Sequence, residues 1–120
     1  MCTGITEIDG LMCWFKDGYS HRTDGPAIMG KKRSQTQFWM KNGYFHRINA
    51  PAIILDNGDR EWWYEGKRHR WIGPAIIYGD GTQEWWSNGL RHRKYGPAVI
   101  YFDGYKEWWV DGLMIAEGWN

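Results

Sequence analysis

The stretch Ala75-Ile76-Ile77-Tyr78-Gly79-Asp80-Gly81-Thr82-Gln83-Glu84-Trp85-Trp86-Ser87-Asn88-Gly89-Leu90-Arg91-His92-Arg93 decides the fold. It opens on a short β-branched and aromatic run and turns at Asp80-Gly81. It then runs through Gln83-Glu84-Trp85-Trp86 and turns again at Asn88-Gly89. Asp-Gly and Asn-Gly between such runs signal hairpins, because both central residues of a type I′ turn need positive φ. Two turns per unit predict a three-strand meander. Tyr95-Gly96-Pro97 leads into the next unit, and Pro, lacking an N–H, belongs at a strand start or on an edge.

The unit recurs. His21-Arg22, His46-Arg47, His69-Arg70 and His92-Arg93 are spaced by 25, 23 and 23 residues. Each Arg stands three residues before Gly25-Pro26, Ala50-Pro51, Gly73-Pro74 or Gly96-Pro97. Seven residues before each His is a tryptophan: Trp14, Trp39, Trp62 and Trp85. Trp108 and Gly112 keep the pattern once more, but the His slot holds Ile115. A fixed period of this length means a repeat architecture. The predicted fold is all-β: a single domain, 1–120, of about five tandem 23-residue β-hairpin or meander repeats forming an elongated antiparallel sheet. A partial first repeat (1–13) precedes repeats at about 14–37, 38–60, 61–83 and 84–106, and a truncated C-terminal unit covers 107–120. Residues 5–8 supply the first strand. Residues 30–34 replace one Asp-Gly turn and are two residues longer, which explains the 25-residue spacing.

A two-residue Asp80-Gly81 loop pairs Tyr78 with Gln83, Ile77 with Glu84 and Ile76 with Trp85. The Asn57-Gly58 and Asp103-Gly104 loops likewise set Ile53 opposite Trp62 and Val99 opposite Trp108. This register predicts a buried column of Trp39, Trp62, Trp85 and Trp108 with Ile53, Ile76 and Val99. The chain has ten tryptophans, seven tyrosines and four phenylalanines. Each buried aromatic removes roughly 150–250 Å² from water, so such columns can supply a core.

The net charge of +1 argues against general nucleic-acid binding. Cys2 and Cys13 both precede the first clear repeat, with no CxxC, which indicates neither a disulfide scaffold nor a zinc site. No run approaches the roughly 20 apolar residues of a membrane span. Glu7 and Asp9 near the N-terminus speak against a signal peptide. The expectation is a reduced, cytoplasmic protein.

Trp63-Tyr64-Glu65-Gly66-Lys67-Arg68-His69 and Trp86-Ser87-Asn88-Gly89-Leu90-Arg91-His92 set an aromatic, a turn glycine and a His at fixed spacing. Over about residues 5–116 the chain resembles MORN repeats and their bacterial and viral variants. It departs from the usual unit where Arg22, Arg47, Arg70 and Arg93 replace the glycine after His. It also lengthens the unit by the Gly-Pro-Ala step. In this it looks like the HRxxGPA variant found in phage and giant-virus proteins. The resemblance implies an elongated antiparallel sheet and an interaction platform, a role that in MORN repeats sometimes extends to lipid headgroups. It further implies a small phage-encoded inhibitor of a host defence protein, acting in the host cytoplasm.

The residues themselves argue against an enzyme. Histidines one repeat apart are roughly 10–14 Å from each other, whereas zinc needs every ligand about 2.0–2.1 Å from one centre. No Ser or Cys recurs beside them as a nucleophile. No catalytic residue, metal site or cofactor is therefore assigned. Glu61, Glu84 and Glu107 read as partners of arginines. The candidate partner-binding residues are Lys31, Lys32 and Arg33 in the lengthened turn, with Arg68, Arg70, Arg91, Arg93, Trp63, Trp86 and Trp109. Trp and Arg dominate binding hot spots, which favours a non-catalytic protein-binding module. The alternative is a sponge that sequesters a nucleotide or other anionic small molecule on an Arg/Trp-lined surface. In a third arrangement each Arg is structural, bound to backbone carbonyls or stacked on a Trp.

Overall fold

The computed structural model describes residues 4–120, so Cys2 lies outside the described residues. Every regular element among them is a β-strand. One long antiparallel sheet runs Gly4–Ile8, Leu11–Lys16, Ile28–Gly30, Gln37–Phe38, Ile53–Ile54, Arg60–Glu61, Ile76–Ile77, Gln83–Glu84, Val99–Ile100, Lys106–Val110 and Leu113–Gly118, in that spatial order. Tyr19–Ser20 adds to it beside Leu11–Lys16. The body measures 50 × 28 × 20 Å, elongated along the stacking direction.

The second hairpin of each central repeat leaves the long sheet. Met40–Lys41 pairs with Tyr44–Phe45, Trp63–Tyr64 with Lys67–Arg68, and Trp86–Ser87 with Leu90–Arg91, each as its own two-stranded ribbon. The switch occurs at the first Trp of each pair. The Trp62 N–H donates to the Ala75 carbonyl just past the Gly-Pro step, while its own carbonyl accepts the His69 N–H of the ribbon. Trp39 and Trp85 are wired in the same way. The expected three-strand meander is thus two strands of sheet plus a ribbon.

The register differs by one residue from the expectation. Ile76 pairs with Glu84 and Ile77 with Gln83. Ile53 likewise faces Glu61, and Val99 faces Glu107. The reason lies in the turn. The Gly81 N–H donates to the Tyr78 carbonyl at 2.9 Å, and the Tyr78 N–H donates to Thr82 at 2.9 Å. Only Gly81 takes positive φ, at 95°, and Asp80 does not. This is a three-residue loop, a turn followed by a left-handed glycine, not a two-residue type I′ turn. The Asp80 side chain accepts the Thr82 N–H at 2.8 Å, and Asn57 and Asp103 do the same for Asp59 and Tyr105. At Asn88-Gly89 both residues have positive φ, 50° and 82°, as the two-residue turn requires.

A one-residue slip moves every side chain to the other face. Ile53, Ile76 and Val99 are buried (6%, 2% and 1% exposed), but they share their face with Glu61, Glu84 and Glu107. Trp39, Trp62, Trp85 and Trp108 are half-buried and do not stack with them. Trp62 and Trp85 take the opposite face, in register with the fully buried Ala52, Ala75 and Ala98. The chain ends in a hairpin with a register shift between Trp108 and Trp109, where Ile115 and Ala116 occupy the His and Arg slots.

Candidate functional site

Each histidine is a stitch between repeats. Nδ1 of His21, His46, His69 and His92 accepts the backbone N–H of Asn42, Glu65, Asn88 and Asp111, each at 3.0 Å. These donors open the next ribbon turn, and all four turn residues hold positive φ, between 47° and 50°. The bond requires a neutral imidazole whose proton sits on Nε2. Burial lowers the pKa of His69, and burial followed by Lys41 lowers that of His46, which favours that neutral form. No three metal-ligating side chains converge among the described residues.

On the glutamate face, Glu61 and Glu84 each organise a Trp and an Arg, and Glu107 a Trp and a Tyr. Glu84, 5% exposed, accepts from Trp86 Nε1 at 2.9 Å, Arg91 Nε at 3.0 Å and the Tyr78 hydroxyl at 2.9 Å. Glu61 takes Trp63 at 3.0 Å and Arg68 at 3.2 Å, and Glu107 takes Trp109 at 2.8 Å. Burial and the neighbouring Glu84 push the Tyr78 phenol up to about 12. The guanidiniums slot between rings: Arg68 lies 5.0 Å from Trp63 and 5.1 Å from Trp86, and Arg91 lies 5.2 Å from Trp86 and 5.1 Å from Trp109. Five candidate residues are thereby brought into one alternating Trp–Arg ladder, and its charges are answered internally.

Arg70 and Arg93 do not belong to that ladder. They sit on the opposite face with Arg22 and Arg47, each guanidinium 3.6–4.0 Å from the centroid of Trp62, Trp85, Trp14 or Trp39. Nη1 of each donates to the carbonyl of the following proline at 3.0–3.3 Å. The structural arrangement of these arginines therefore has both of its proposed elements, the carbonyl and the ring. The glycine packs closely beneath the guanidinium: a Cβ on Gly73 would come 3.0 Å from Arg70 Cζ, and on Gly96 3.1 Å from Arg93 Cζ, while the second copy carries Ala50 there, not at positive φ, with Arg47 still on its ring.

The lengthened turn lies apart from both faces. Lys31 pairs with Glu7 at 2.9 Å, and Lys32 and Arg33 are exposed. The segment does have a packing reason. Asp56 of the next repeat accepts from the Ser34 hydroxyl at 2.8 Å, the Gln35 N–H at 2.5 Å and the Thr36 hydroxyl at 3.3 Å.

The residues that sequence reasoning passed over are the two between His-Arg and Gly-Pro. Ile48, Trp71, Ile72 and Tyr95 are 65%, 69%, 87% and 83% exposed. The Trp71 ring packs edge-on against His69 at 4.1 Å and 6.0 Å from Tyr64. A cleft between consecutive loops is lined by Arg47, Trp62, Tyr64, His69, Arg70 and Trp71. Their signal in the sequence was variation: the slot that is Thr23-Asp24 in the first copy becomes Ile48-Asn49, Trp71-Ile72 and Lys94-Tyr95, with at least one large apolar or aromatic residue each time. No helix among the described residues is long and apolar enough to cross a membrane. Neither a protein-family model, nor a curated protein, nor a solved structure matches the chain.

Proposed function

We propose that this chain is a non-catalytic protein-binding repeat module whose contact surface is the edge formed by the HRxxGP loops. One observation carries the reading. Ile48, Trp71, Ile72 and Tyr95 stand 65–87% exposed at equivalent positions of successive repeats. Exposed apolar side chains gathered along one edge mark an interface, and Trp and Tyr are favoured anchors. Beneath them the scaffold is stitched by hydrogen bonds, so the surface is pre-organised and little ordering cost is left for binding. Taken with the viral resemblance, the partner is a host protein, a defence factor, that the module blocks in the host cytoplasm.

The test is quantitative affinity capture from host lysate with the wild type and a Trp71→Ala/Tyr95→Ala variant of equal melting temperature. The reading expects one protein retained in near-stoichiometric amount by the wild type and lost from the variant. Equal capture by both moves the surface elsewhere. A second reading, sequestration of an anionic small molecule, is favoured by the cationic cleft between Arg47 and Arg70. Calorimetry against mononucleotides tests it. Saturable binding at one site per molecule, with no protein captured, would replace the first reading.

A further inference from the structure

The first repeat shows how its arginine is completed. Arg22 lies 4.0 Å over Trp14 and donates from Nη1 to Pro26, and its Nε sits 3.0 Å from Asp24 Oδ1. The next three copies keep the ring and the carbonyl but lose the acid. The slot of Asp24 holds Asn49, Ile72 and Tyr95. Among the described residues, Arg47, Arg70 and Arg93 have no carboxylate partner. Burial pulls the Arg47 and Arg70 guanidiniums below their ordinary value, the mark of a partly desolvated charge left uncompensated. His69 adds a donor in the same cleft. With Nδ1 taken by Asn88, the ring proton is on Nε2, which is buried without a hydrogen-bond partner.

These cradles recur once per repeat. Each repeat adds two strands to the long sheet, and a strand spacing of about 4.7–4.9 Å sets neighbouring cradles about 9.4–9.8 Å apart. A polyproline-II helix has three residues per turn and rises about 3.1 Å per residue, so one side repeats about every 9.3 Å. An extended strand repeats one side about every 6.6–6.8 Å and misses the pitch. A single small anion uses one cradle, whereas the row suits a polymer.

We infer that the HRxxGP edge binds an acidic polyproline-II segment of a protein partner, with carboxylates at every third residue on Arg47, Arg70 and Arg93 and the intervening apolar residues against Trp71, Ile72 and Tyr95. The inference rests on the protein-binding reading and supplies the partner's chemistry. Asp24 on Arg22 is the contact inside the molecule that each bound carboxylate copies.

The experiment is fluorescence anisotropy of the full chain with labelled (Glu-Pro-Pro)4. The comparison probes are (Gln-Pro-Pro)4, a block peptide of four Glu followed by eight Pro, and the oligonucleotide (dT)12. On wild-type protein (Glu-Pro-Pro)4 should bind at least about tenfold tighter than each of the three. Two variants then separate charge from apolar contact. Asn49→Asp/Ile72→Asp/Tyr95→Asp copies the first repeat and fills the cradles from within, so it should lose at least about tenfold. Ile72→Asn/Tyr95→Asn removes the same apolar groups without a carboxylate, so it gives up their contact alone and should lose clearly less than the Asp variant. Glu and Gln peptides binding wild type equally would overturn the inference, whether or not the Asp variant folds. Equal loss in the Asp and Asn variants would also overturn it, leaving the apolar edge and the protein-binding reading standing. Tighter binding of (dT)12 would give the cradles to phosphate instead.

Discussion

Nδ1 of His69 accepts the backbone N–H of Asn88 at 3.0 Å, a bond across nineteen residues that fastens one repeat to the turn of the next. The same bond repeats at His21, His46 and His92. An imidazolium cannot accept it, so the fold depends on four neutral rings.

Acid should therefore loosen the array. The folded-state pKa values of His46 and His69 lie below the usual 6.5. Their contribution is full above that value, where the unfolded rings are neutral too, and is lost as the pH falls through the lower folded values. At His46, Glu65 opposes the lowering by burial and Lys41. Melting curves should be level from about pH 8 to 6.5 and fall steadily below it. A His46→Phe/His69→Phe variant should melt lower at pH 7.5 and lose less on acidification. A wild-type melting temperature unchanged down to pH 5 would remove the histidines from this role.

Glu84 should be the most expensive carboxylate to remove. Its loss strands Trp86, Arg91 and Tyr78 together, whereas Glu61 holds Trp63 and Arg68. Arg91 keeps about a third of its side chain in water, which discounts a fully buried pair. Glu84→Ala should cost about 2–3 kcal/mol by urea unfolding, and Glu61→Ala less. In Glu84→Gln, Tyr78 should titrate below its present value of about 12, which ultraviolet titration of the phenolate checks.

Gly73 is constrained twice. Its φ is +108°, and a Cβ there would meet Arg70 Cζ at 3.0 Å. Gly81 has a similar φ of +95° but open space around it. Gly81→Ala should cost only the conformational penalty, about 1–2 kcal/mol. Gly73→Ala should cost somewhat more, about 2–3 kcal/mol, because the guanidinium must also shift by a few tenths of an ångström. Equal destabilisation in chemical denaturation would mean that the Arg70–Trp62 stack yields freely.

The lengthened turn should separate into charge and anchor. Replacing Lys32 and Arg33 with Ser should shift stability by no more than about 0.5 kcal/mol. Asp56→Ala should instead speed amide exchange at Gln35 foremost, since it removes that N–H's acceptor together with the hydroxyl anchors of Ser34 and Thr36. Those bonds, the Gln35 N–H foremost, keep the Asp56 carboxyl below its usual range. Acid should release the same segment as that carboxyl protonates.

Period and turn chemistry made the all-β array legible. His-Arg spacing set the repeat, and Asn88-Gly89 announced a two-residue turn that the backbone adopts. Asp80-Gly81 misled because the same dipeptide serves two loops. When the Asp side chain caps the N–H two residues on, Asp stays at negative φ and the loop gains a residue. That one residue swapped the Trp and Glu columns between faces. Among candidate site residues, Trp63 and Arg68, and Trp86 and Arg91, lie side by side because the two-residue ribbon turn pairs them, and that pairing survives the slip in the other loop. Arg70 and Arg93 recur as a ladder of their own, and it stacks on Trp62 and Trp85 instead of Trp63, Trp86 and Trp109. Trp71 and Ile72 were invisible to column reasoning, which looks for sameness while the exposed edge is where copies differ.

Every histidine bond points one way along the chain. A unit offers its imidazole to the unit after it and receives one from the unit before. The spacing from His69 to His92 matches that from His46 to His69. Excising residues 70–92 would leave His69 followed by the chain that now follows His92, so it would meet the Asp111 turn as it now meets Asn88. Copy number is thus a free variable for this architecture, and the array can be shortened or lengthened by whole units without redesigning a joint.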